Sequence, residues 1–563
     1  MTAANICYLG VDVGLTATKA AAFDVAGNEL AVVHARTPRT SVTAHRHDVD
    51  MAVLADTVLS LLAEIGGKLA ADGYAPAGIG VAAHGNGLYP VDAALRPVGP
   101  AIASSDSRAQ HVVAAIPADG ARRLARETGS IPWAAQPAVL LRWLRDAEPA
   151  AYAATRWALS CKDWVTSQLT GAPSADYSDA SAFGMVGLDS RAYTPTALEL
   201  VGLPAADLGR FPPPRRSDEV VGGLSAAVAA RTGLPEGLPV IAGCMDCVAA
   251  TLGAGGREVG DGTIIVGTWA INGVVVPARS PAPEVTLSAF MPDPATMLAM
   301  EVAPTSAANL EWLACAAVPH AQAGGVAAAD LLREAAAVPP GAEGLLFLPF
   351  VNGAPEHPSA SGTFLGLSSN HRRGHLARAV IEGVAQYHRV QLDRVLASGA
   401  DVGDRPWRLA GGGARSAVWA QIFADVLGRP VRRQLTSELG ARASPPCYPV
   451  RSATTCRRGP STTRTTCACG RGRTARRTWR TPRCSTAASP ACPPCGRRWS
   501  GTARAAGPPE RYDATGRGRR KTADPCVLRR DRPGSAETAD PAGASPSKRR
   551  QRWAPPARPA SCR

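Results

Sequence analysis

The apolar residues that can build a core stop at Arg442. From Ala443 to Arg563 the sequence holds no Ile, Met or Phe, and Leu528 is its single Leu. A segment with so little to bury cannot offset the entropy lost on ordering, so residues 443–563 are expected to form a disordered Arg/Pro/Cys-rich tail. Charge divides at the same point: the tail carries 25 Arg and 2 Lys against 6 Asp and Glu, and the first 442 residues carry 34 basic against 40 acidic groups. The formal charge of +15 therefore belongs to the tail. It is no argument for a polyanion-binding body, and nucleic acid is not an expected partner of the fold.

Residues 1–442 exceed one ordinary core, which predicts two domains. Five cysteines are scattered through them (Cys7, Cys161, Cys244, Cys247 and Cys315) and make no disulfide framework. The N-terminus has no basic n-region, and Asp12 interrupts its first apolar run before a signal sequence could form. No stretch approaches 18 apolar residues. These features point to a cytoplasmic protein without a membrane partner.

The opening reads as a β-meander: a strand from Ile6 to Val11, a turn at Asp12-Val13-Gly14, a strand from Lys19 to Phe23, and a third from Glu29 to His34. Helical spacing follows over Val53 to Ile65 and leads to a strand at Gly78 to Ala82. Residues 239–246 repeat the logic, with an apolar strand delivering Asp246. A hairpin from Gly262 to Val276 follows, turning at Gly267-Thr268. Two strand-Asp modules, each with a nearby glycine-containing hairpin, suggest two similar α/β domains facing a cleft. Leu376 to Leu396 reads as a long amphipathic helix, and a strand at Trp407 to Ala410 runs into Gly411-Gly412-Gly413 before a helix from Ser416 to Leu427.

Within ten residues, Asp12, Gly14, Thr16 and Lys19 place a carboxylate, a glycine turn, a hydroxyl and a cation. Backbone N–H groups of such a turn can hold phosphate oxygens, and the carboxylate can hold Mg2+ through water. An ordinary hairpin with a surface Lys would read the same way, and the Gly-Lys-Ser/Thr of a Walker loop is absent. Asp246 stands at the carboxyl end of a strand, where it can take a proton from an attacking hydroxyl. Cys244 and Cys247 form a Cys-x-x-Cys, but no second pair at finger-like spacing occurs in the globular part, so they read as core thiols. The Gly411–Gly413 triplet lets a flat or anionic group approach the backbone closely.

In combination these pieces resemble the FGGY carbohydrate kinases, of the actin-like ATPase superfamily with its ribonuclease H-like folds. The matching segments run in the family's order: Leu9-Gly-Val-Asp-Val-Gly-Leu-Thr-Ala-Thr-Lys19, Gly80-Val-Ala-Ala-His-Gly-Asn86, Ser104-Ser-Asp-Ser-Arg108, Lys162-Asp-Trp-Val-Thr-Ser-Gln-Leu-Thr-Gly171, Ala242-Gly-Cys-Met-Asp246, Gly267-Thr-Trp269, Phe347-Leu-Pro-Phe350, Gly362-Thr-Phe-Leu-Gly-Leu367 and Ala410-Gly-Gly-Gly-Ala-Arg-Ser416. The run Ala303 to Trp312 looks most like the L-xylulose (3-keto-L-gulonate) kinase branch. The resemblance implies two ribonuclease H-like domains, 1–252 on the sugar and phosphate side and 253–442 on the nucleotide side, the latter incomplete. It implies ATP-dependent phosphorylation of a primary hydroxyl on a ketose such as L-xylulose or a related polyol, with ATP and Mg2+ required and a homodimer compatible. By position, Asp246 would be the general base, and Asp12 and Asp246 would serve the metal. Gly14, Thr16 and Lys19 would line one phosphate turn, Gly267 and Thr268 the facing one, and Gly411, Gly412 and Ser416 the adenosine. His84, Asn86 and Trp133 would face the sugar, together with Asp246.

Two departures stand out: Leu15 replaces a small or hydroxyl residue of many members, and His84 and Asn86 differ from the polar pairs of the glycerol and D-xylulose branches. Members also continue past Glu438-Leu439-Gly440-Ala441-Arg442 with a small-residue helix, where this chain turns to Ala-Ser-Pro-Pro-Cys-Tyr-Pro. A reading-frame shift in a GC-rich gene is the leading account of the tail, since shifted GC-rich codons yield chiefly Arg, Pro, Ala, Gly, Ser, Thr and Cys. The alternatives are a basic nucleic-acid-binding arm and a zinc module on Cys467, Cys469, Cys484, Cys492 and Cys495. Under the first account the chain could be a catalytically impaired sugar or nucleotide binder.

Overall fold

The computed structural model describes residues 5–38, 40–43, 45–267, 269–278, 287–317, 326–353, 360–434, 440–441 and the backbone of 474–475. Apart from that last pair, the tail and the expectations placed on it lie outside the described residues.

The meander forms with longer strands than the spacing predicts: β1 (Ile6–Val13), β2 (Ala17–Asp24) and β3 (Glu29–Arg36). Val13 is fully buried and continues the inward alternation of Cys7, Leu9 and Val11, so the strand carries on past Asp12. Asp12 thus lies in β1, paired with Lys19, and the turn falls at 14–16 rather than 12–14. Helix α1 (Met51–Ala71) starts at Asp50, whose carboxylate accepts from the amides of Ala52 and Val53. It buries Leu54, Val58, Leu61, Leu62, Ile65 and Leu69 on one face. Beyond it β4 (Ala75–Ala83) runs parallel to β1, and β5 (Val220–Gly223), β6 (Pro239–Ile241) and the short β7 (Cys244–Met245) complete the sheet. The order is β5-β6-β4-β1-β2-β3, with β7 also beside β4.

The second sheet contains β8 (Gly262–Val266), β9 (Ala270–Pro277), β10 (Leu287–Phe290), β11 (Thr296–Ala303), β12 (Trp407–Ala410), β13 (Val431–Arg433) and β14 (Thr474–Ala475), ordered β10-β11-β9-β8-β12-β13-β14. Its centre repeats the first sheet. In each, a three-stranded antiparallel meander is followed by two strands parallel to its first: β3-β2-β1-β4-β6 in one and β11-β9-β8-β12-β13 in the other. The two similar α/β units expected from the sequence are present.

An apolar seam joins them, with Met245, Cys247 and Val248 packed against Leu287, Ala289, Met291 and Met300. The β10 edge is covered from the first unit: the Phe290 amide donates to Ser181 Oγ at 2.9 Å and the Ser288 amide to Ser130 Oγ at 3.4 Å, so its N–H groups are satisfied. Closer still is the approach at Gly10, where a Cβ would stand 1.9 Å from the Ala441 carbonyl oxygen. Only glycine fits there. Among the described residues no helix is long and apolar enough to cross a membrane.

Candidate active site

Register places the first set of residues together. Asp12 of β1 and Cys244 of β7 both pair with Ala82 of β4, so the carboxyl ends of three parallel neighbours lie side by side. Two inter-strand steps, roughly 10 Å, separate the outer ends. From them issue the Gly14–Ala17 turn, the His84-Gly85-Asn86 segment, and Asp246, first residue of α4 (Asp246–Gly253). Crevices outside the carboxyl ends of parallel strands are where α/β sheets bind ligands.

Asp246 is half-buried. Burial raises its carboxyl from 3.8 to about 6, opposed by hydrogen bonds from the Cys247 side chain and amide. A base of that strength is largely ionised at neutral pH yet able to hold a proton. Cys244 and Cys247 are free, buried thiols pushed up in pKa by that burial, which suits the core role expected of them.

The strand end carrying Asp246 is held by residues to which the sequence assigns no role. Helix α2 (Cys161–Thr170) begins at Ser160, whose Oγ accepts from the Asp163 amide. It buries Lys162 completely. The Lys162 ammonium contacts Asp163, stands 3.1 Å from Asp176 and 3.6 Å from Asp179, and donates to the Ala242 carbonyl at 3.1 Å. Burial works against its charge, but the three carboxylates outweigh that and raise its pKa. These acids could have formed a cation site; the ammonium already occupies its centre. From α3 (Tyr177–Ala182), Ser178 Oγ accepts from the Met245 amide at 2.8 Å. Lys162 and Ser178 together therefore fix the two residues flanking Gly243 and Cys244.

His84 lies between two hydroxyls, Nε2 at 3.2 Å from Tyr89 and Nδ1 at 3.2 Å from Ser104 Oγ. Asn86 adopts φ 62°, and its buried Oδ1 has no hydrogen-bond partner among the described residues. Trp133 packs partly buried against the helical layer around Leu140 and Phe183, and its amide donates to Gln136 Oε1.

The second sheet gathers the other set. Gly267 follows β8 and Gly411 follows β12, its parallel neighbour; a Cβ on Gly411 (φ 84°) would lie 2.7 Å from the Val266 carbonyl oxygen. At Gly412 a Cβ would meet nothing within 4 Å among the described residues. Ser416 caps α6 (Ala417–Leu427; α5 being the long helix Arg373–Ala397), its Oγ accepting from the Trp419 amide. The Gly267 carbonyl accepts from Ala307 N at 2.9 Å. Behind it Ser306 Oγ lies 2.9 Å from His388 Nε2, and His388 Nδ1 2.8 Å from Asn272 Oδ1. Burial lowers His388 to about 3, so it stays neutral in this brace. Thr268 lies outside the described residues.

Models of the FGGY family of carbohydrate kinases match the chain twice, the N-terminal domain over residues 7–253 and the C-terminal domain over 262–442. The chain belongs to this family. It is a carbohydrate kinase, and kinases of the family use ATP. It is similar to the L-xylulose/3-keto-L-gulonate kinase of Escherichia coli (strain K12), 30% identical over 436 residues, which are 77% of this chain and 86% of that one. It is likewise similar to the xylulose kinase of Streptomyces rubiginosus, 31% identical over 442 residues, with 77% and 85% covered. Among solved structures, the xylulose kinase from Rhodospirillum rubrum superposes with a TM-score of 0.69 at 31% identity, covering 77% of this chain and 88% of that one. The fold extends to the Plasmodium falciparum glycerol kinase with ADP, at 16% identity and a TM-score of 0.67, covering 78% of this chain and 88% of that one.

Proposed function

We propose that this FGGY kinase transfers the γ-phosphoryl group of ATP to a primary hydroxyl of a ketose, a pentulose such as L-xylulose, or a related polyol. The observation that carries the reading is the placement of Asp246. It begins a helix beside the ends of β1 and β4, and its carboxyl is raised to about 6. The substrate oxygen attacks phosphorus as its O–H bond breaks, the proton passes to the Asp246 carboxylate, and the bond from the γ-phosphorus to the bridging oxygen breaks to release ADP. The kinases named for L-xylulose and xylulose among the relatives support the pentulose class.

In this reading, residues 1–252 serve sugar and phosphate, residues 253–442 serve the nucleotide, and 443–563 stand apart. His84, Asn86 and Trp133 contact the sugar. The turn of Gly14, Thr16 and Lys19 meets the phosphates from one side and Gly267 with Thr268 from the other. Gly411, Gly412 and Ser416 border the adenosine. Carboxylate oxygens suit Mg2+, and the half-buried Asp12 and Asp246, on the strand ends either side of β4, offer two of them. Mg2+ held there would neutralise charge on the phosphate oxygens.

The test is ADP release with ATP, Mg2+ and a panel of pentuloses and polyols. Turnover with a pentulose is expected; no turnover with any member refutes the reading. A second reading, a binder without turnover, is favoured by the loss of core-forming residues after Arg442. Sugar- or ATP-dependent melting shifts without ADP release would select it.

A further inference from the structure

The Gly14 amide donates to the Ala17 carbonyl at 3.0 Å across the Gly14–Ala17 turn. A second residue, distant in sequence, holds it. Thr37 directly follows β3, whose Arg36 pairs with Ala17. Its amide donates to the Thr16 carbonyl at 3.1 Å, and its hydroxyl donates to the Gly14 carbonyl at 2.8 Å. A threonine hydroxyl has one hydrogen. Since Thr37 directs it at Gly14, the 3.0 Å contact between the Thr37 and Thr18 hydroxyls must have Thr18 as donor. The order of donation is thus settled: Thr18 to Thr37, Thr37 to Gly14. Both hydroxyl-bearing residues are buried, Thr18 completely and Thr37 to 7% exposure, where a hydrogen bond holds more firmly than in water.

Two carbonyls of one four-residue turn are therefore aimed at a single residue. In a trans peptide the C=O and N–H point in opposite directions, so fixing the Gly14 carbonyl also fixes the plane of the Gly14–Leu15 peptide. Without the hydroxyl that plane can rock, because Gly14 restrains its own backbone least of all residues.

We infer that Thr37 is a positioning residue for ATP: it touches neither substrate, and its hydroxyl holds the Gly14–Ala17 turn in the shape that receives phosphate. This rests on the phosphate role proposed above for that turn. Thr37→Val keeps the shape of the side chain and its backbone amide but removes the hydroxyl, and Thr37→Ser restores the hydroxyl. Amide hydrogen exchange measured without nucleotide should be faster at residues 14–17 in Thr37→Val by about 3- to 10-fold, the range of one net hydrogen bond. The dissociation constant for ATP should rise by a similar factor and that for the sugar by less than about twofold, with Thr37→Ser near wild type in all three. Unchanged exchange in Thr37→Val overturns the inference. So does faster exchange with ATP affinity intact, or equal weakening of ATP and sugar that serine does not rescue. If the wild-type chain binds no ATP, the phosphate reading of the turn fails and the nucleotide half of this inference with it, while the exchange data still decide whether Thr37 holds the turn.

Discussion

Replacing Asp246 by asparagine should make the protein more stable at neutral pH while removing its activity. Burial raises the Asp246 carboxyl from 3.8 to about 6, so the fold favours the protonated acid. Between pH ~4 and ~6 the native state then holds more protons than the unfolded chain, and stability falls as pH rises through that window and stays lower above it. A shift of two units corresponds to about 3 kcal/mol. The side chain is half-buried and so partly meets solvent, and about 1–2 kcal/mol is the expected gain for Asp246→Asn at pH 7.5. Near pH 4 both carboxyl and amide are neutral, and the gain should vanish. Urea denaturation at pH 4, 5, 6 and 7.5, wild type against variant, reads this directly.

In the proposed mechanism the same group sets the rate. With a pKa of about 6, roughly nine-tenths of the carboxyl is ionised at pH 7 and about one-tenth at pH 5, so kcat/KM should fall about tenfold per unit below pH ~6. Asp246→Asn should lower kcat by about 10²- to 10⁴-fold. A variant less stable than wild type at pH 7.5, or a wild-type acid limb centred near pH 4, would refute the argument, because both contradict a carboxylate strained by its surroundings.

Two further substitutions test the scaffold around the site. Lys162→Met should destabilise the fold by about 3–5 kcal/mol, since it leaves Asp163, Asp176 and Asp179 buried without their cation; a loss under about 1 kcal/mol in urea denaturation would show that the lysine is not their counter-ion. Gly10→Ala places a methyl 1.9 Å from the Ala441 carbonyl oxygen and should lower the melting temperature by several degrees, the effect of about 1–3 kcal/mol of overpacking. An unchanged melting temperature would mean that the Gly440-Ala441 pair does not hold its place against β1.

Much of this arrangement could be read from local pattern. The meander, the long helix at 373–397 and the strands before Asp246 and Gly411 each have a period or a glycine turn within a dozen residues, and the motifs that place the chain among the FGGY kinases are equally local. Asp12 departs from its local pattern: a charged residue and a nearby glycine suggest a turn, but the buried Val13 carries the strand on. Lys162 illustrates the opposite case. A lysine next to an aspartate reads as solvated surface, and its burial depends on Asp176 and Asp179, which reach it only after α3 has packed against the sheet. Thr37 has no motif at all, because its function comes from register: pairing Arg36 with Ala17 brings the next residue alongside the turn.

That repeated register also explains why the turns proposed to hold phosphate are found where they are. In both sheets the first hairpin joins the strand that has parallel neighbours to the strand that has antiparallel ones. The hairpin's turn consequently emerges at the carboxyl ends of the parallel strands, beside whatever those neighbours deliver. In the first sheet they deliver His84, Asn86 and Asp246, and in the second the Gly411 segment. Each turn needs a brace from outside its own hairpin, because the two strands hold the loop only at its base. Thr37 provides it for Gly14, and the Ser306-His388-Asn272 network, through the Ala307 amide, provides it for Gly267. The braces share no residue type or sequence pattern, so the duplication lies in backbone topology, and each half has met the same mechanical need with different side chains.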